Sequence, residues 1–496
     1  MLGFFSAKVD HPLADASEVR RVLNQLPAQE PAEALDSATA WLESLVATPE
    51  FRPERRLELI AQIDEAVLPQ TRRLGRDYLT TLRQTRAGEF RLWRINYAYW
   101  SHLAAAYQDT LSRYRNNENA ADALRPRLGS LCARLLNAYG SQLKWLQFRY
   151  GPIEGGFWKL AGDAYLEAER GQVAGRAIRL YANADERTPT AEYLKILLLQ
   201  ASSMDKLLPI EIEIAERLIA YLVPFFTLTD QARPENVYWV DAALPLPPTR
   251  LARLPDISPT LRFFATASAL DALGQLRATI ESKGGLPAEI NFGGQYLPRL
   301  VLSVVDHLAA CWSPVPPMRS HERRQVKSRM AVVAGLEAIR RQLDGQEPDG
   351  DGVESWVVED VSQGGIGVQV SLVGKEWLMV GSLIGMQPEG GNNWLVGVVR
   401  RFNRESEAMG SVGIETLSKL PRGMIADSRG LETEIIFLDP PRENRDLRLA
   451  LSVAAWVEQI PLLAEVDGRC LSLFPHTLLE SGPGHMIATY RAEPAS

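Results

Sequence analysis

Apolar residues recur at helical intervals through the first three hundred residues of the chain and then give way to short β-branched runs. Periodic segments at about 30–47, 53–85, 88–115, 120–148, 155–182, 190–222, 258–283 and 285–310 predict helices. Asp15 stands three residues before Glu18, the spacing of a capping box, and Val19, Val22 and Leu23 follow on one face. Thr188-Pro189 has the form of a cap followed by proline at the first helical position, and Pro209 separates two apolar runs. A stretch at 224–257, with Pro234, Pro245, Pro247, Pro248 and Pro255, divides the helical part into two possible subdomains. It reads as a surface excursion or as the carrier of a short strand at Val237–Val240.

Within the helical part, Trp93, Tyr97, Trp100, Tyr107 and Tyr114 recur at spacings of three, four and seven, which predicts a buried aromatic stripe rather than a stacking platform for a ligand. Trp158, Gly162, Tyr165 and Ala174 fall on tetratricopeptide offsets. Ala161 holds the expected leucine position, however, and no second copy follows, so one isolated helical hairpin is the simpler reading. Glu211 and Glu213 lie two apart on a predicted helix, face different sides and read as solvated.

Ser313-Pro314-Val315-Pro316-Pro317 excludes helix and opens an extended connector. Beyond it, Ser355–Glu359, Ile366–Leu372, Trp377–Val380, Trp394–Arg401 and Ser411–Thr416 read as strands, with Gly390-Gly391-Asn392-Asn393 as a hairpin turn. A second strand-rich block follows, at Glu432–Leu438, Leu447–Val453, Gly468–Phe474 and His485–Tyr490. The expected organisation is multidomain α plus β: an all-helical region at 1–312, a Pro/Arg-rich connector at 313–330, a β-barrel at 331–422 and a second small β domain at 423–496.

Composition narrows the function. The 496 residues carry a net charge of −7, so no global basic field exists to hold a nucleic-acid backbone. Three separated cysteines form no framework, which fits a reducing compartment. No run approaches the ~18 apolar residues of a spanning helix, and the start lacks the basic region of a signal peptide. A soluble cytoplasmic protein without membrane insertion is expected. Phosphate-loop, zinc-protease, nucleophile-elbow and dinucleotide motifs are all missing from the sequence. The expectation is therefore a non-enzyme with no cofactor and no metal.

One segment departs from the acidic average. Residues 319–330 contain Arg319, Arg323, Arg324, Lys327 and Arg329, and guanidinium forks suit phosphates and guanine edges. Some thirty residues later, Asp360 and Ser362 stand two apart at a strand edge, facing the same side, ahead of Gly364, Gly365 and Gly367. A carboxylate there can accept from a guanine edge, and the glycines let a ring approach the backbone. The same residue types also suit an Asx-type turn.

The arginine segment followed by D-x-S-x-x-G (Asp360, Ser362, Gly365), and then by Val380–Gly385, Leu395–Arg401 and Val412–Glu415, resembles the PilZ domain, the bacterial receptor for cyclic di-GMP. The resemblance covers roughly residues 318–420. It implies a six-stranded antiparallel barrel and a ligand, cyclic di-GMP, held by Arg319, Arg323, Arg324, Arg329, Asp360, Ser362 and Gly365. Arg319 and Arg323 give the family's R-x-x-x-R spacing, whereas register against the first strand selects Arg329, with Gln325 at the first arginine position and Arg324 beside it. The block after 425 has no D-x-S-x-x-G and reads as a degenerate second barrel, with Arg442, Arg445 and Arg448 facing nothing that completes a site. The expected function is a cyclic di-GMP receptor that couples binding at the barrel to a protein-interaction surface on the helical region. The alternative is an adaptor or scaffold whose barrel no longer binds nucleotide.

Overall fold

The computed structural model describes residues 9–81, 86–183, 185–316, 322–345 and 352–495. The chain forms two compact units, one built from the helical region and one from the residues from 318 onward together with 150–152 and 205–208.

In the helical unit the periodic segments become helices at Ala16–Gln25, Pro31–Ala47, Pro53–Thr81, Arg86–Arg115, Leu128–Gln147, Gly155–Arg170, Pro189–Ala201, Pro209–Leu222, Ala267–Lys283 and Pro298–Trp312. The Asp15 carboxylate accepts from Ser17 N at 2.7 Å and the Thr188 hydroxyl from Ala191 N at 3.0 Å, so both residues cap their helices. The Glu18 carboxylate, the far side of the expected box, accepts from Arg21 Nε at 2.9 Å instead. Tyr99, Trp100 and Tyr107 are buried between the long helices. The phenols of Tyr99 and Tyr107 donate to the buried Asp64 carboxylate at 3.3 and 3.2 Å, joined by Tyr181 at 3.3 Å and Arg134 at 3.1 Å. Burial alone pushes the Asp64 carboxyl up, and these four donors satisfy the charge that folding removes from water.

The region is not all helical. Leu228–Thr229, Leu261–Ala265, Asn236–Asp241 and Thr249–Arg250 form a four-stranded antiparallel sheet in that order, and Ile178–Arg179 pairs with Glu186–Arg187. The expected helix at 258–283 therefore starts late: Leu261–Ala265 is short enough for a buried strand, apolar except for Arg262, whose Nε donates to Glu169 at 3.0 Å. Gly162 brings the helix Gly155–Arg170 against this sheet: a Cβ there would lie 1.9 Å from the Ala242 carbonyl oxygen. Glu213 also departs from expectation. It is buried, with Lys144 at 2.9 Å and Arg217 at 2.9 Å, and although burial alone would raise its pKa, these cations hold it below the usual carboxylate range.

The second unit holds two closed six-stranded antiparallel barrels. Around the first run Arg324–Ala334, Glu354–Val361, Gly365–Ser371, Met409–Ser418, Leu395–Arg404 and Leu383–Pro388, and the last pairs with the first to close it. The second uses Arg422–Ser428, Leu431–Phe437, Arg445–Leu451, His485–Pro494, Arg469–Gly482 and Leu462–Val466 in the same connectivity. Each has its own apolar core, with Trp356, Met386 and Phe402 in one and Phe437, Leu449 and Tyr490 in the other. Trp377–Val380 is a turn rather than a strand: Ser382 Oγ bonds both Met379 N and Trp377 O at 3.2 Å, and the Trp377 ring lies 6.1 Å from Trp356.

A helix at Leu336–Leu343, inserted after the first strand, carries Ile339 into a shared apolar layer with Val333, Leu383, Ile436, Ala450 and Ile487. The Arg340 guanidinium reaches Glu434 at 3.0 Å from the same helix. Arg400 completes the junction. Its Nε donates to Glu415 at 2.6 Å and its two terminal nitrogens to Glu480 at 2.6 and 2.8 Å, so it ties a first-barrel strand to the second barrel.

His485 is buried beside this junction, 1% exposed, and neither ring nitrogen finds a hydrogen-bond partner among the described residues. Burial pushes its pKa down, with Glu480 and Arg400 as the nearest charges. The folded state thus keeps the imidazole neutral, while the unfolded chain takes up a proton near pH ~6.5. Its contribution to stability is complete above that pH and is lost as pH falls below it. Lowering the pH to about 5.5 is expected to lower the denaturation midpoint of the wild type more than that of His485→Leu, with the difference opening below pH ~6.5. Parallel pH profiles would show that His485 does not titrate on unfolding.

Candidate functional site

The first hairpin of the first barrel assembles the sequence-read residues. Gln325 pairs with Asp360 and Arg324 with Val361, placing the arginine end of the first strand beside the end of the second. The turn is closed by Ser362, whose backbone N donates to Gly365 O at 2.8 Å while its hydroxyl donates to the same oxygen at 3.2 Å. Gly365 is required by close approach, since a Cβ would come 2.6 Å from Ile414 O on the neighbouring strand. Asp360 then lies over Gly367, where a Cβ would meet the carboxylate at 2.7–3.0 Å. The glycines therefore clear space for the acid and its strand crossing.

Arg323 faces Asp360 directly. Its Nη1 donates to both carboxylate oxygens, at 3.0 and 2.9 Å, with the guanidinium 46% and the acid 20% exposed. Arg324 is exposed on the adjoining position and has no ion-pair partner among the described residues. Arg329 stands elsewhere. It pairs with Val357, its guanidinium donates to Ser355 Oγ at 3.2 Å, and its backbone N donates to Glu389 at 3.1 Å. Ser355 is five residues from Asp360 along one strand, roughly 16 Å at strand rise. The structure thus brings together Arg323, Asp360, Ser362 and Gly365, leaves Arg324 free beside them, and anchors Arg329 away from them. Arg319 lies outside the described residues.

Sequence reasoning missed the relay behind this hairpin. Gly365 pairs with Glu415, and Glu415 holds the Arg400 that grips Glu480 of the second barrel. No local motif announces it, because its members are fifteen and eighty residues apart in the chain. In the second barrel the equivalent hairpin carries Asp439, which Arg448 occupies at 2.7 and 3.0 Å while also donating to Leu417 O. That acid lies opposite Arg448, a pairing the sequence did not reveal, and its carboxyl is held below the usual range by the Arg448 hydrogen bonds.

Residues 17–234 match the family model described as the N-terminal domain of the cyclic-di-GMP receptor FimW. The match runs from the first helix to just before the strand Asn236–Asp241 and ends before either barrel begins. It includes the Asp64–Arg134 cluster and the buried Glu213 network, so the similarity lies in the helical framework. No curated protein matches the chain. Among the described residues, no helix is long and apolar enough to cross a membrane.

Proposed function

We propose that this chain is a cytoplasmic receptor for cyclic di-GMP, with the ligand held at the first barrel and the output carried by the helical unit. The observation that carries the reading is the Arg323–Asp360 pair at the mouth of a D-x-S-x-x-G hairpin. Asp360 offers two acceptor oxygens to the N1–H and N2–H₂ edge of a guanine, and Arg323 a fork to a phosphate. The family matched by residues 17–234 is described as a receptor for the same ligand, and that match comes from the other half of the chain.

Without ligand, the two groups satisfy one another. A cyclic dinucleotide supplies a guanine edge for Asp360 and a phosphodiester for Arg323, so each charge exchanges one partner for another rather than being abandoned. Arg324 adds a second cation at no cost in broken contacts. Arg319, Arg329 and Ser362 join the proposed site, Arg329 only after leaving Ser355. The relay from Gly365 through Glu415 and Arg400 to Glu480 then gives the second barrel, which we read as a degenerate copy of the first, a part in the response. Ligand shifts the arrangement only by its difference in affinity between the two states. No reaction is assigned to the protein.

Anchoring of Arg329 by Ser355 favours the second reading, a scaffold whose barrel has lost nucleotide. Calorimetric titration of the whole protein with cyclic di-GMP separates the two. Arg323→Ala is expected to weaken binding by roughly tenfold or more, the loss of a charge-assisted hydrogen bond, and Arg329→Ala by less. Absence of heat with the wild type, together with an unshifted melting temperature, would leave the scaffold reading standing.

A further inference from the structure

The helical unit carries a cationic surface that the receptor reading does not use. Between residues 69 and 94 the sequence has seven arginines and only two acids, Asp77 and Glu89, in a chain whose net charge is −7. Glu89 is occupied by Arg149 at 3.2 Å. Among the described residues, Arg72, Arg73 and Arg76 on the helix Pro53–Thr81 and Arg91 and Arg94 on the helix Arg86–Arg115 are all exposed, and no ion pair engages them.

These two helices pack as neighbours joined by four residues, and the arginines sit at matching levels. Arg76 is five residues before the end of one helix and Arg91 five after the start of the next; Arg73 and Arg94 are each eight away. At 1.5 Å per residue both levels fall within ~12 Å of the helix ends. Folding therefore concentrates like charges that cost stability, and among the described residues no ion pair neutralises them.

Beside them lies an aromatic ladder. Phe90 stacks on Trp93 at 5.8 Å and Trp93 on Tyr97 at 5.1 Å, while Arg149 covers the Phe90 and Trp93 rings. Trp93 Nε1 is fixed to Trp145 O at 2.7 Å, and Phe90 remains 46% exposed. A rigid ring next to unpaired guanidiniums is the composition of a protein-binding hot spot.

We infer that this arginine face docks an acidic segment of a partner protein. The partner's chemistry follows from three features. The cations are all arginine, whose fork takes a carboxylate in two hydrogen bonds. The patch is short, so it fits a single turn or two of an acidic helix. The rest of the chain is strongly acidic, which repels an extended anionic lattice such as a duplex or a charged bilayer. The inference rests on the proposed function only in that the latter needs an output surface on the helical unit.

The test uses the full chain and a fluorescein-labelled glutamate-rich helical peptide, followed by anisotropy at low ionic strength. Binding is expected, weakened by added salt, and reduced roughly tenfold or more in the double variant Arg73→Glu, Arg94→Glu. Arg299→Glu, an exposed arginine elsewhere on the unit, is expected to leave the peptide affinity unchanged. An unaltered melting temperature of the double variant shows that the loss is one of contact. No peptide binding, or equal affinity in the double variant, overturns the inference. So does equal binding of anionic phospholipid vesicles or of single-stranded DNA at the same residues, because the surface would then not select an acidic protein. Cyclic di-GMP titration of the same variants is a separate readout, so loss of the nucleotide reading and loss of this one are distinguishable.

Discussion

Asp360→Ala should lose about a hundredfold in affinity for cyclic di-GMP while melting within a degree or two of the wild type. A good bidentate base-edge contact is worth about 1–3 kcal/mol of recognition, and the upper part of that range corresponds to a factor of about a hundred. The stability cost is small because the Arg323–Asp360 pair is partly exposed, with the guanidinium 46% accessible, and such pairs contribute about 0–1 kcal/mol. Asp360→Asn sharpens the test. It keeps one acceptor for the guanine edge, ends the competition with Arg323, and is expected to retain most of the affinity. Calorimetry on the three proteins decides it. If Asp360→Ala binds as the wild type does, the hairpin is an ordinary closed turn and the ligand, if there is one, sits elsewhere.

The largest expected stability effect is in the helical unit. Gly162→Ala places a methyl group 1.9 Å from the Ala242 carbonyl oxygen, a backbone atom that cannot swing aside. The helix and the four-stranded sheet must separate locally, for which overpacking values of about 3 kcal/mol or more are appropriate. Gly156→Ala on the same helix meets nothing within 4 Å and serves as the control; it is expected to be neutral or slightly stabilising through its higher helix propensity. Thermal melting of both variants checks the pair. Equal melting temperatures would mean that the close crossing at Gly162 is not maintained in solution.

Gly162 also shows where reading the sequence stops. By sequence it stands at a tetratricopeptide offset within one isolated helical hairpin, but its reason is a carbonyl eighty residues away that no local pattern contains. Long-range contacts of this kind explain the other departures too. Leu261–Ala265 is apolar apart from Arg262 and only five residues long, so periodicity does not separate strand from helix, and only its partners Asn236–Asp241 and Leu228–Thr229 settle the matter. Glu213 looks like a solvated acid until Lys144, from another helix, meets it. Arg422–Ser428 and Leu462–Val466 escaped notice because charge and proline interrupt the runs around them. By contrast, Asp15, Thr188 and Pro209 act through their own few neighbours, and helix boundaries followed from them directly. The D-x-S-x-x-G hairpin was equally legible because Ser362 and Gly365 hydrogen-bond to each other. What the hairpin leans on, from Glu415 to Arg400 to Glu480, was not.

The helix Leu336–Leu343 has a consequence for how the protein is made. It belongs by sequence to the first barrel, yet Ile339 and Arg340 are covered by Ile436, Ile487 and Glu434 of the second. A ribosome adding about 5–20 residues per second takes roughly seven to thirty seconds to travel from this helix to the final strand. For that interval the nascent chain exposes an apolar face whose natural cover has yet to be synthesised.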